Sequence, residues 1–350
     1  MGTVSVVAGM MQAYAWGRFN ALAAWAPSAA EGPHAELWFG AHPNGPSPVL
    51  AGPAVGAEQA PLLVKLLAAA APLSIQVHPG AEAITSLLAS PETADLLSDE
   101  GVKSEVLIAV ESFAVLAGLR AAEDAARILA AGLGVEHPAV AALNAGDRIE
   151  AIRKVFASAA AGAGDVDAGA MLAVLPESER DVMRRVVEVY TGDTGLPVAF
   201  MLQPRVLQPG QAMFVEAGCL HAYVDGFGVE VMTASDNVLR LGLTPKRVAV
   251  EPALSIVGAD LQPTVVDECA TPVQVPRIPF SVQRVCDAEV TVDVPGSLLL
   301  CVEGTAEADC GATVAMGQAA LLHEGRCVWQ VRGTGYVARP TASDGIDSAV

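Results

Sequence analysis

The chain has 350 residues, 52% hydrophobic and 17% charged, with 39 acidic against 20 basic residues and a formal net charge of −19. That length suits roughly two or three domains, and the composition excludes long disorder. So acidic a surface repels nucleic acid and anionic lipid, so neither is an expected partner, and an anionic small substrate needs a locally basic pocket. Six cysteines, Cys219, Cys269, Cys286, Cys301, Cys310 and Cys327, show no CxxC pair or regular spacing, as expected of a reduced, cytoplasmic protein. The start, Met1 to Gly9, lacks the basic region and long apolar stretch of a secretory signal. No segment reads as membrane-spanning, because the apolar run from Leu62 is interrupted by Lys65 and by prolines.

To about Gly118 the chain is rich in Pro and Gly with short apolar or alternating runs, Leu62 to Leu67, Leu73 to His78 and Val106 to Val110. These predict strands, with a short helix over Ala81 to Ala89. From about Arg120 apolar residues recur every three or four positions. Ile149, Ile152 and Phe156 form one such stripe, and Val182, Met183, Val186, Val189 and Tyr190 another, so helices are expected. Pro176 followed by Glu177 and Glu179 marks a helix start, with acidic residues at the positive end of the dipole. Strand texture returns near Val198, and after Leu261 the runs Leu298 to Val302, Ala319 to Leu322 and Val328 to Val331 predict a second, smaller β-sandwich or jelly roll. The expected organisation is a mainly β protein with a helical insertion. Residues 1–118 and 193–260 form one discontinuous β-domain, 119–192 the insertion, and 261–350 the C-terminal β-domain.

Three segments carry candidate chemistry. In Leu73 to His78 the polar residues Ser74, Gln76 and His78 alternate with Leu73, Ile75 and Val77, so an extended chain turns all three to one face. A buried Gln and His need partners, which a metal or an ordinary hydrogen-bond network can supply. The second segment runs from Gly218 through His221, Tyr223 and Glu230 to Met232, and its Asp225-Gly-Phe-Gly228 centre predicts a hairpin turn. With Val224 opposite Val229, Tyr223 falls opposite Glu230, and His221, Tyr223 and Glu230 share a face. The third, Lys103-Ser-Glu105, leads into an apolar strand, with Lys103 and Glu105 on one side. Together Gln76, His78, Glu105 and His221 offer two imidazoles, a carboxylate and an amide oxygen, a mixed set suited to zinc or a similar divalent ion. His34, His42, His137 and His323 are isolated and read as structural or surface histidines, and Trp16 and Trp38 as core aromatics.

Several stretches, in order, resemble one family. They are Tyr14-Ala-Trp16-Gly, Ala35-Glu-Leu-Trp-Phe-Gly-Ala-His42-Pro-Asn-Gly-Pro-Ser47, Pro72 to Pro79, His221-Ala-Tyr223, and Glu230-Val-Met-Thr-Ala-Ser-Asp236-Asn-Val-Leu-Arg240-Leu-Gly-Leu-Thr-Pro-Lys246. The set is similar to type I mannose-6-phosphate isomerases and extends to about residue 250. The resemblance implies a cupin-fold catalytic domain and one zinc ion per chain, held by Gln76, His78, Glu105 and His221. It implies conversion of mannose 6-phosphate to fructose 6-phosphate through an enediol. It places Arg240 on the family's active-site arginine, Ser74 and Lys246 on positions associated with the substrate phosphate, and Lys103, Tyr223 and Glu230 on further pocket residues. One departure is visible: before Glu105 the family's Asn-His-Lys-Pro-Glu signature reads Gly101-Val-Lys103-Ser104-Glu105, keeping Lys and Glu but not His and Pro.

The chemistry asks for a base that reaches a carbon-bound proton, and both Lys103 and Glu230 are candidates. Arg240, charged at any working pH, suits the enediolate oxygens, while its plainer role is a structural ion pair with Asp236 or a neighbour. Two other readings stand beside the isomerase: a cupin metal oxygenase using a similar His and carboxylate set, and a non-catalytic sugar-binding cupin.

Overall fold

Unbroken apolar runs build the centre of the molecule. In the computed structural model, which describes residues 1–162 and 165–341, the run Leu62–Ala69 is a strand buried at every position. Leu62, Val64, Leu66 and Ala68 enter a core shared with the C-terminal sheet, whereas Leu63, Leu67 and Ala69 face the other way. A run buried on both faces is what an interior strand requires. Each such Leu or Val contributes about 1.5–3 kcal/mol, enough to seat one buried charge, Lys65, among them.

This strand lies in an eleven-stranded antiparallel sheet with the order Thr264–Val266, Ala212–Val215, Glu105–Ala109, His221–Thr233, Leu62–Ala69, Glu36–Phe39, Met10–Gln12. The other half of the long strand His221–Thr233 pairs with Phe113–Leu119 and Gln76–Val77, and through them with Leu202–Leu207 and Leu239–Arg240. One strand therefore serves both halves of this sheet system. Helices from Ala122–Leu133 to Leu196–Met201 cover one wall, where Ile152, Met183 and Val186 meet Ile75, Val77, Ala222 and Val224. The nine-stranded C-terminal sheet covers the other, through Phe280, Val282, Leu298, Leu300 and Tyr336. The mainly β architecture with a helical insertion agrees with the pattern of runs.

Three local expectations are corrected. Asp225 to Gly228 is no hairpin turn: His221–Thr233 is one continuous strand. Gly226, at φ 157°, gives way to Phe113, whose ring would lie 2.4 Å from an added Cβ, so the glycine admits a packed ring, not a reversal. Near Val198, where strand texture was expected, Leu196–Met201 is a helix with Pro197 in its first turn, and the strand begins at Leu202. The two sheets also exchange edges. Thr3–Ala8 pairs with Gln318–Glu324 in the C-terminal sheet, and Thr264–Val266 returns to pair with Ala212–Phe214.

Candidate metal centre

Strand parity decides which side chains meet. On Glu105–Ala109, Val106 and Ile108 enter the outer core, so Glu105 and Leu107 point inward. On Glu36–Phe39, Leu37 and Phe39 are outer, so Glu36 and Trp38 are inner. The long strand poses a difficulty, because His221 and Tyr223 are odd-numbered and Glu230 is even. A β-bulge resolves it: Asp225 opposes Ala114 but Tyr223 opposes Val115, leaving Val224 as an extra residue. One inserted residue exchanges the faces of everything beyond it. Accordingly Ala222 and Val224 contact the helices, while Val229 and Val231 enter the core on the far side. His221, Tyr223 and Glu230 thereby share the interior, as the sequence reading required but by a different device.

Gln76, His78, Glu105 and His221 converge. Glu105 is fully buried, with Oε1 2.9 Å from His221 Nε2 and Oε2 3.3 Å from His78 Nε2. Gln76 Nε2 lies 3.1 Å from His221 Nε2; a half-turn of that amide presents Oε1 instead. His78 Nδ1 meets the Asn237 carbonyl at 3.0 Å and His221 Nδ1 the Cys219 carbonyl at 3.0 Å. Both imidazoles thus aim Nε2 at the shared space. His78 Nε2 and Glu105 Oε2 make no hydrogen bond despite complete burial, although Lys103 Nζ stands 3.0 Å from that oxygen as an ion pair. Orphaned polar atoms in a dry interior are costly. Two buried atoms that face each other without a hydrogen bond, beside a second imidazole, fit a divalent cation with mixed N and O ligands.

The electrostatics agree with that fit. Burial, then Lys103, holds His78 down at about 4, so its imidazole is neutral near pH 7, the form that ligates metals. Burial alone would raise Glu105, yet Lys103 and the two imidazoles hold it well below the usual carboxylate range. Tyr223 donates to Glu105 Oε1 at 2.9 Å, and burial followed by Glu105 pushes its phenol well up.

Beside this cluster is a second buried charge group. Lys65 Nζ is 2.7 Å from Glu230 Oε2 and 3.5 Å from Glu36 Oε1, with the Trp38 ring centroid 5.2 Å away. Burial would lower Lys65, but Glu230 and Glu36 outweigh it and raise it. Burial pushes Glu230 up by more than Lys65 pulls it down. The register that puts Glu230 opposite Lys65 and Trp38 opposite Lys65 makes this contact.

The remaining predicted residues occupy the rim. Arg240 pairs in register with Gln76 and is half-buried. The ion pair with Asp236 is not made; Asp236 instead meets His42 Nε2 at 3.3 Å and Asn44 Nδ2 at 3.0 Å. Among the described residues the Arg240 guanidinium has no carboxylate within 4.0 Å. Ser74 is half-buried two positions before Gln76, and Lys246 is exposed. The loop carrying Lys246 is fixed from the helical side. Asp193 accepts from Leu243 N at 3.0 Å and Thr244 N at 3.3 Å, and Leu243 holds a positive φ of 53°.

Sequence reasoning missed Lys65, Glu36 and Asn237. Lys65 had a signal, being the sole charge in Leu62–Ala69. Asn237 lay inside the matched stretch without a role. Its Oδ1 accepts from Ser98 N at 2.8 Å and its Nδ2 donates to the carbonyls of Asp99 and Gly101, each at 2.8 Å. It therefore ties the His78 contact to the loop leading into Lys103 and Glu105. His34, His42, His137 and His323 bond to Leu22 N, Asp236, Ala139 N and Ser5 Oγ, consistent with structural roles.

Two antiparallel walls sharing one bulged strand, with imidazole and carboxylate ligands on their inner faces, define a cupin-type protein with a metal-binding cluster. The phosphomannose isomerase type I catalytic-domain family matches residues 5–60 and 51–122. Mannose-6-phosphate isomerase of Escherichia coli K12 is 30% identical over 383 residues, covering 94% of this chain and 97% of that one. A zinc-bound mannose 6-phosphate isomerase structure superposes with TM-score 0.78 at 26% identity, over 97% of this chain and 100% of that one. The apo form from Salmonella typhimurium gives the same TM-score, identity and coverage. The chain belongs to the type I phosphomannose isomerase family.

Proposed function

We propose that this chain is a zinc-dependent isomerase interconverting mannose 6-phosphate and fructose 6-phosphate. The observation that carries the reading is the buried trio His78, Glu105 and His221, with two facing atoms that make no hydrogen bond, in a chain similar to such enzymes over 94% of its length. His78, Glu105, His221 and the amide oxygen of Gln76 would hold the ion. When bound, a divalent cation supplies Lewis-acid polarisation of the sugar oxygens.

The chain's own groups supply the rest. Glu230 is the base that takes the carbon-bound proton and returns it to the neighbouring carbon, since burial raises its proton affinity. Lys103 is engaged 3.0 Å from Glu105, which favours Glu230 over it for this role. Lys65, 2.7 Å from Glu230, holds the carboxylate in place. Arg240, with no carboxylate partner among the described residues, stabilises negative charge on the enediolate oxygens. Ser74 and Lys246 hold the phosphate by a hydroxyl and a point charge. Tyr223 keeps Glu105 oriented. A cytoplasmic site of action without nucleic-acid or membrane partners accords with the net charge of −19. Among the described residues, no helix is long and apolar enough to cross a membrane.

The test is a coupled assay of mannose 6-phosphate turnover with and without a chelator, alongside metal analysis. Turnover that needs about one zinc per chain supports the reading; none in zinc-replete protein refutes it. Arg240→Ala should lower kcat while zinc stays bound, and unchanged kcat would remove Arg240 from the reaction.

A further inference from the structure

The C-terminal sheet brings two sulfurs together far along the chain from every residue of the pocket. Strand Leu298–Ala308 pairs with Cys327–Pro340 as far as Ala308 opposite Trp329. The ladder continues beyond that: Asp309 N donates to the Val328 carbonyl at 2.9 Å and Val328 N donates to Asp309 Oδ1 at 3.0 Å. The next facing pair is Cys310 and Cys327, 17 positions apart, with Sγ atoms 3.2 Å from each other. Directly opposed residues of antiparallel strands have Cβ atoms about 4.5–5.5 Å apart, bordering the roughly 3.5–4.5 Å that a disulfide spans.

The two thiols differ in access. Cys327 is fully buried beneath Gly2, just before the N-terminal strand, where an added Cβ on Gly2 would fall 2.6 Å from its Sγ. Cys310 is half-buried in a turn closed by Gly311 N to the Ala308 carbonyl at 2.9 Å. Cys310 is thus the more accessible residue and Cys327 lies behind it, the arrangement of an attacking and a resolving thiol. Among the described residues no other two cysteine sulfurs are in hydrogen-bond contact.

We propose that Cys310 and Cys327 form a reversible disulfide site. A small-molecule disulfide accepts attack by the Cys310 thiolate, giving a mixed disulfide and one released thiol. Cys327 then attacks the Cys310 sulfur and expels the second thiol. Two protein thiols are oxidised to one bridge, the reagent is reduced to two thiols, and each protein thiol's proton ends on a released thiol. The bridge clips the Asp309–Gly311 turn to the start of Cys327–Pro340, stiffening this end of the sheet without touching the pocket.

The experiment uses full-length zinc-loaded protein exposed anaerobically to oxidised glutathione. Two of the six thiols should be lost, with a mass decrease of two hydrogens and a Cys310–Cys327 peptide link. The thermal midpoint should rise and return on reduction, with turnover unchanged throughout. Cys310→Ser should abolish the link, and Cys286→Ser should leave it intact. Glutathione adducts that accumulate on Cys310 without closure would overturn the proposal. So would stoichiometric Cd2+ uptake with thiolate absorption, lost in Asp309→Asn, since Asp309 lies within reach of both sulfurs and that result would assign a metal site.

Discussion

Replacing Lys65 by Met keeps the length and apolar contacts of the side chain but removes the ammonium between Glu230 and Glu36. At an effective dielectric of about 20, a unit pair at 2.7 Å is worth ~6 kcal/mol and one at 3.5 Å ~5 kcal/mol. Removing a buried ammonium also removes its own desolvation cost of several kcal/mol, so the loss is smaller than that sum. It is limited further because the stranded Glu230 carboxylate takes a proton, at about 1.36 kcal/mol per pH unit between its ordinary value of 4.5 and pH 7, or ~3.4 kcal/mol. The expected destabilisation at pH 7 is therefore about 3–5 kcal/mol, in the range for breaking a buried pair. The sign with pH follows. In the variant Glu230 binds its proton more tightly folded than unfolded, so stability is greatest below about pH 4.5 and is lost as pH rises. The gap from wild type should shrink from pH 8 to pH 5. Urea unfolding followed by tryptophan fluorescence is the assay, with Trp38 5.2 Å from the ammonium as a local reporter. Adding Glu230→Gln should restore part of the loss. A pH-independent loss below about 1 kcal/mol would refute the argument that the lysine neutralises buried carboxylates.

Tyr223→Phe removes the donor to Glu105 Oε1 and should weaken zinc affinity about 10–100-fold with little change in fold; competition with a chromogenic chelator decides, and equal affinity would exclude the orienting role. Asn237→Ala deletes three side-chain hydrogen bonds of 2.8 Å and should cost about 2–4 kcal/mol. It should also speed amide exchange at Ser98 and Asp99, and unchanged exchange would show that another contact holds the loop. Burial raises the thiols of Cys269 and Cys301 from 9.0 to about 11. Between those values the unfolded chain releases protons that the folded chain keeps, so their contribution to stability falls as pH rises through this window. Denaturation midpoints at pH 8 and 10.5 measure it, and Cys301→Ala should flatten the slope.

The candidate site was legible where chemistry is local in sequence. Alternation in Leu73 to His78 separates the inward Gln76 and His78 from Ile75 and Val77, which join the helical core, although the expected strand is cut down to Gln76–Val77. Lys103, two residues before Glu105 and just ahead of its strand, meets it at 3.0 Å. Where the chain departs from that period, sequence misled. A glycine-rich centre reads as a turn, yet Gly226 is small because Phe113 occupies its space and Gly228 because the Ile108 carbonyl of the paired strand does, and no local pattern records a neighbour from another strand.

Composition and periodicity by themselves determined a mainly β chain, a helical insertion and which short segments turn candidate ligand side chains to one face. Only the tertiary structure decided how those segments meet. The extra residue at Val224 turns Glu230 into the pocket beside Tyr223, and strand order sets Lys65 between Glu36 and Glu230. Asn237 joins the His78 contact to the loop before Glu105. Local backbone geometry fixes which face a residue takes, but register and long-range pairing fix what stands opposite, and those depend on the whole sheet.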